Sequence, residues 1–72
     1  MKLLVDIGNS DIKWAPYRQA LEPGGVIRLA PSPGESLKPV WGKLEKPQGV
    51  YVSNVAGDAV AEEITRYCLD NW

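Results

Sequence analysis

Asp6, Gly8, Asn9, Ser10, Asp11 and Lys13 bring two carboxylates, a bare backbone, an amide, a hydroxyl and an amine into one short stretch near the start of the chain. Those residue types at that spacing suit a phosphate chain and its metal ion. Backbone N–H groups around a glycine donate to phosphate oxygens, because no Cβ holds the ligand away. Mg²⁺ takes oxygen ligands and keeps several waters, so Asp6 can hold it directly or through water. Ser10 Oγ can donate to a phosphate oxygen, and Lys13 adds a compact positive charge. A purely structural reading uses the same residues. Gly-Asn is an ordinary hairpin turn, Asp6 can end a strand, and Lys13 can pair with Asp11 on a solvated face.

A hairpin would position these groups. Lys2–Ile7 is a run of strand length, with Leu3, Val5 and Ile7 on one face and Leu4 and Asp6 on the other. Apolar residues on both faces predict an interior strand covered on two sides. Ile12 and Trp14 alternate with Asp11 and Lys13, the period of a second strand over residues 10–17. Pro16 marks its far end as an edge or an exit from the sheet. Gly8-Asn9-Ser10 joins the two, Gly and Asn being the residues that accept positive φ in a tight turn.

The turn signal Glu22-Pro23-Gly24-Gly25 precedes a third strand over residues 26–30, which gives an antiparallel meander. Pro31-Ser32-Pro33-Gly34 then breaks the sheet. Leu37, Val40, Trp41 and Leu44 share one face of a helix expected over residues 35–46, where Pro39 fits only in the first turn. Trp41 reads as the core anchor of that helix. Lys46-Pro47-Gln48-Gly49 closes it, and residues 50–54 form a fourth strand. Asp58 has the character of an N-cap for a final helix whose buried stripe is Val60, Ile64, Tyr67 and Cys68. Glu62 and Glu63 lie early in that helix, and Glu62 with Arg66 makes an i,i+4 pair. The order is βββαβα, a mixed α/β (α+β) class.

Composition bounds the function. A chain of 72 residues makes one small domain at most, burying only ~60% of its unfolded surface. With 44% hydrophobic residues it has the make-up of a globular protein, and its net charge of −1 gives no nucleic-acid or membrane surface. There is no histidine, which removes His-based acid–base catalysis and His-ligated metals. The single cysteine, Cys68, has no internal disulfide partner, as expected of a reducing compartment. Asp6 cuts the opening apolar run short of a signal peptide, and no stretch is long enough to span a membrane. The expected location is the cytoplasm. No P-loop, dinucleotide fingerprint or internal repeat is present.

Asp6-Ile7-Gly8-Asn9-Ser10-Asp11-Ile12-Lys13-Trp14-Ala15 resembles the first phosphate-binding motif of type III pantothenate kinases, the family that includes the Bvg accessory factor proteins. Val50-Tyr51-Val52-Ser53-Asn54-Val55-Ala56-Gly57 resembles that family's fourth strand and the turn into a helix. Order and spacing of the two agree. Together they cover about a quarter of the chain, and the first is the more specific. The resemblance implies the ribonuclease H-like opening of an acetate and sugar kinase/Hsp70/actin-type domain. It also implies ATP-dependent phosphorylation of pantothenate to 4'-phosphopantothenate in coenzyme A biosynthesis, with Mg²⁺ and a monovalent cation (K⁺ or NH₄⁺). On this reading Asp6, Ile7, Gly8, Asn9, Ser10, Asp11, Ile12 and Lys13 form the ATP phosphate site. Asp6 organises the metal and its waters, Gly8, Asn9 and Ser10 hold the β- and γ-phosphates, and Lys13 lies near the phosphates or fixes Asp6.

The catalytic base, adenine segment, cation site and most of the pantothenate pocket are expected beyond residue 72, in a two-domain homodimer. Asp58 is better explained as a helix cap than as that base. The final helix reaches Trp72 without a Gly or Pro stop, which predicts another strand. The chain therefore reads as a partial N-terminal phosphate-binding domain, residues 1–72, inactive alone and prone to self-association through an uncovered edge. Two alternatives stand beside it. One is another kinase of the same superfamily, against which Asn9 and residues 53–57 argue. The other is a non-catalytic interaction or regulatory module with a structural hairpin.

Overall fold

Side chains of the first strand, β1 (Lys2–Ile7), alternate between two faces, so that Leu3, Val5 and Ile7 are buried while Lys2, Leu4 and Asp6 are exposed. The computed structural model describes residues 1–29 and 31–72. β2 (Asp11–Tyr17) returns antiparallel to β1, and β3 (Gly25–Arg28) returns antiparallel to β2. α1 (Pro33–Trp41) leads through a loop to β4 (Gly49–Asn54), which lies parallel to β1, and α2 (Asp58–Asn71) follows. The sheet order is β3-β2-β1-β4, with β1 and β2 in the middle. This mixed sheet with two helices has the expected βββαβα order of a mixed α/β class, and is compatible with a ribonuclease H-like opening.

The core lies between the sheet and the helices: Leu3, Val5, Ile7 and Ile12 meet Leu37 and Trp41 of α1 and Ile64 and Tyr67 of α2. Trp41, fully buried, is its centre, as its helical spacing predicts. Its indole meets Tyr67 edge-on at 5.4 Å and Trp14 edge-on at 6.1 Å, and stacks on Trp72 at 5.7 Å. Rings at these separations add about 0.5–1.5 kcal/mol per pair beyond their buried area. Val60 and Cys68 pack on the margin of the same core, completing the expected stripe of α2.

Coverage of the sheet departs from expectation. Both helices face Leu3, Val5 and Ile7, so the Leu4 face of β1 is open rather than covered. Leu4 and Tyr51, paired across β1 and β4, are exposed there with Tyr17 and Leu21. Pro16 lies beyond the last residue of β2 that pairs with β3, so the missing N–H of proline faces no strand on that side.

Element ends also move. α1 begins at Pro33 rather than residue 35, because a proline's fixed φ and absent N–H suit the first helical turn. It ends at Trp41 rather than residue 46, and Leu44 closes a following turn by donating to Trp41 O at 3.0 Å. Pro39 therefore sits past the first turn, inside the helix. β3 starts at Gly25, and Ala30, the expected last residue of that strand, lies outside the described residues.

Asp58 is the first residue of α2 and not its cap. The capping position is Gly57, at φ 109°, a conformation that favours glycine. Among the described residues the ion pairs are Arg18–Glu22, Arg18–Glu45 and Lys38–Glu35, so neither Glu62–Arg66 nor Asp11–Lys13 is formed. Arg18 joins the loop after β2 to the loop before β4, and its hydrogen bond holds the Glu45 carboxyl below its ordinary range.

Candidate functional site

Three backbone bonds fix the turn between β1 and β2. Gly8 N–H donates to Asp11 O at 2.9 Å, Leu29 N–H to Ser10 O at 2.8 Å, and Val55 N–H to Ile7 O at 3.0 Å. The tip is thus held from both sides, by the end of β3 and by the end of β4. The N–H groups of Asn9 and Ser10 have no backbone acceptor among the described residues and remain donors at the turn.

No residue of this turn has positive φ, which corrects the expectation of a left-handed Gly-Asn turn. Gly8 is not demanded by space either, since a Cβ there would meet only Asp11 O, at 3.7 Å. The fold gives no reason for glycine at this position.

Asp6, Gly8, Asn9, Ser10, Asp11 and Lys13 line one shallow depression of about 250 Å³ at the tip. Six of the eight predicted residues therefore meet in space. The other two, Ile7 and Ile12, are wholly buried, and their side chains anchor the hairpin in the core. Only their backbones are near the depression. Asp6 pairs with Lys13 across the strands, which puts both on the open face, yet they form no ion pair among the described residues. Neither side chain is consumed by the other.

The donor set fits a magnesium–phosphate group. No cluster of three or more protein metal ligands occurs among the described residues. Mg²⁺ bound with a nucleotide needs none, because one or two carboxylates, phosphate oxygens and water complete its octahedron. Asp6 supplies a carboxylate, and the free N–H groups beside Gly8 supply phosphate donors.

Sequence reasoning left the roles of Ser53 and Asn54 unassigned, and the structure separates them. Asn54 is structural: its Oδ1 accepts from Ala56 N–H at 2.8 Å and its Nδ2 donates to Gly57 O at 2.9 Å. Those bonds shape the turn into α2. Ser53 is exposed, and in the parallel register it stands beside Asp6. Arg28 of β3 likewise stands in register with Asp11 and adds a second cation to the open face. Finding either residue from sequence requires the strand register, which local pattern does not supply. Beside the row of Lys13, Asp6 and Ser53 runs an apolar trough of about 520 Å³ that includes Leu4, Ala15, Leu21 and Tyr51.

Elsewhere the chemistry is quiet. Burial pushes the Cys68 thiol up, away from the reactive thiolate, in keeping with its place on the core margin. Among the described residues no helix is long and apolar enough to cross a membrane.

The chain as a whole is similar to curated proteins of one kind. No family model matches the chain. A type III pantothenate kinase of Paraburkholderia phymatum is 37% identical over 82 aligned residues, covering 97% of this chain and 28% of that protein. One from Burkholderia mallei is 37% identical across 100% of the chain and 27% of the relative. One from Paraburkholderia xenovorans is 39% identical over 97% of the chain and 25% of its own length. The chain spans about a quarter of the length of these relatives. Together with the hairpin motif and the βββαβα sheet, these matches make the chain a relative of the type III pantothenate kinases along its whole length.

Proposed function

We propose that this chain is the N-terminal phosphate-binding part of a type III pantothenate kinase, which transfers the γ-phosphoryl group of ATP to pantothenate. The observation that carries the reading is the unexplained glycine at the tip. Gly8 is required by neither φ nor packing, and it lies among the free donors, the carboxylate and the amine that a metal-bound phosphate needs. The names of the relatives supply the acceptor, pantothenate.

In this proposal Asp6 holds Mg²⁺ and its waters. Gly8, the N–H groups of Asn9 and Ser10, and Ser10 Oγ hold the β- and γ-phosphate oxygens, with Lys13 and Asp11 at the rim of the depression. The bound Mg²⁺ neutralises phosphate charge. The chain's own contribution is position: a turn pinned from two sides cannot drift as charge moves between oxygens. A base for the acceptor hydroxyl, a second domain, a monovalent-cation site and a dimer interface belong to the whole enzyme in this reading, and residues 1–72 alone have negligible kinase activity. Pantothenate-dependent release of ADP by the pure chain would sink that last statement.

The metal role is tested by ³¹P spectra of a non-hydrolysable ATP analogue, recorded with and without Mg²⁺. Shifts and broadening that depend on both protein and Mg²⁺ are expected, and Asp6→Asn should remove the Mg²⁺ dependence with the amide spectrum still folded. An Asp6→Asn chain that binds the magnesium complex as well as the parent does would leave Asp6 as a strand end only.

A further inference from the structure

We infer that Ser53 is a further member of the metal–phosphate site, holding a metal-bound water beside Asp6. The inference rests on the proposed phosphate reading of the hairpin. Three adjacent strands carry Lys13, Asp6 and Ser53 at matched positions, since Asp6 pairs with Lys13 across β1 and β2 and with Ser53 across β1 and β4. Paired residues share a face, so the three stand in one row on the open side, spaced by roughly 4.8 Å per strand. All three side chains are exposed and lie along one trough.

Ser53 has no structural duty that explains it. Its neighbours in β4 and the following turn are spoken for: Tyr51 packs along the sheet under Lys2, and Asn54 builds the turn into α2. Ser53 makes no side-chain hydrogen bond among the described residues. A small hydroxyl one strand from the carboxylate matches the outer shell of Mg²⁺, which gives up its waters reluctantly and is held largely through them. The Ser53 hydroxyl would accept from such a water and so orient the ion that Asp6 binds. Ser53 is a positioning residue here; it does not touch the transferred phosphoryl group.

Mn²⁺ substitutes for Mg²⁺ and reports its own hydration through water-proton relaxation. With Mn²⁺ and the non-hydrolysable ATP analogue, the parent chain should show protein-dependent enhancement and broaden the amide signals of Asp6 and Ser53. Ser53→Ala should weaken the ternary complex about three- to tenfold while leaving binding of the metal-free analogue unchanged, and Ser53→Thr should restore it. A structural role would move both forms alike and would shift the folded spectrum. If Ser53→Ala binds the metal complex like the parent, the inference is wrong and the hairpin reading stands. If the parent shows no metal-dependent binding at all, the hairpin reading fails and the Ser53 assignment falls with it.

Discussion

A methyl group added at position 8 would meet only Asp11 O, at 3.7 Å, and the backbone there has no positive φ. Gly8→Ala is therefore a substitution that the fold accepts and that, under the proposed reading, a bound phosphate would not. Unfolding in urea should show no loss of stability, and a gain of up to about 0.4–1 kcal/mol from the stiffer unfolded chain. Affinity for the magnesium–ATP analogue should fall by about tenfold or more, roughly 1.4 kcal/mol. Unchanged affinity would return Gly8 to the status of a plain turn residue. At this scale much of the candidate site was legible, because Asp6, Gly8, Asn9, Ser10, Asp11 and Lys13 are contiguous in sequence and a hairpin brings contiguous residues together. Ser53 was not legible as a neighbour of Asp6: it lies on another strand, and only the parallel register of β4 on β1 joins them.

Within the elements, α1 carries the chain's clearest local conflict. Pro39 lies inside the helix, where it denies the Glu35 carbonyl its i+4 donor. The helix survives because Leu37 and Trp41, on either side of the proline, are fully buried in the core. Pro39 itself is exposed, so Pro39→Ala restores the hydrogen bond without touching the packing. It should raise stability by about 1–2 kcal/mol, a clear shift in urea midpoint, and an unchanged or lower midpoint would contradict this account. Trp41→Ala should cost about 3–5 kcal/mol and unfold the chain or leave it barely folded, as its near-ultraviolet circular dichroism would report. Periodicity identified both helices and all four strands, since the buried stripes of Leu37 and Trp41 and of Ile64 and Tyr67 follow helical spacing. It placed β1 as found and misplaced both ends of α1 and the cap of α2. Pro33 as a helix start and Gly57 as a cap depend on backbone dihedrals that a stripe of apolar residues does not encode.

Across the whole molecule the helices occupy one face of the sheet, and the other is open. Leu4 is 36% exposed, Tyr51 54% and Leu21 64%, and all three line one trough. β3 and β4 are the outer strands, each with one edge that pairs no strand among the described residues. An apolar face with free edges favours association between copies. Sedimentation at rising concentration should show a growing average mass, and the double change Leu4→Gln with Tyr51→Gln should weaken that association by at least about tenfold. Association that the double variant leaves intact would place the contact at the strand edges instead. The sequence misled here for a physical reason. Leu4 and Val5 make β1 apolar on both sides, the mark of a doubly covered strand, but the side that receives helices depends on how the chain crosses over the sheet.

The central claim is that the hairpin tip is a phosphate site. The most direct test is the amide ¹H–¹⁵N spectrum of the chain, recorded with and without Mg²⁺ and a non-hydrolysable ATP analogue. A phosphate site at the tip predicts dispersed signals, with ligand-induced shifts centred on Asp6, Gly8, Asn9, Ser10 and Lys13 and reaching Ser53, and none in α2. A dispersed spectrum that does not respond to saturating magnesium–nucleotide, or that responds only away from the tip, would contradict it and leave the hairpin a structural turn.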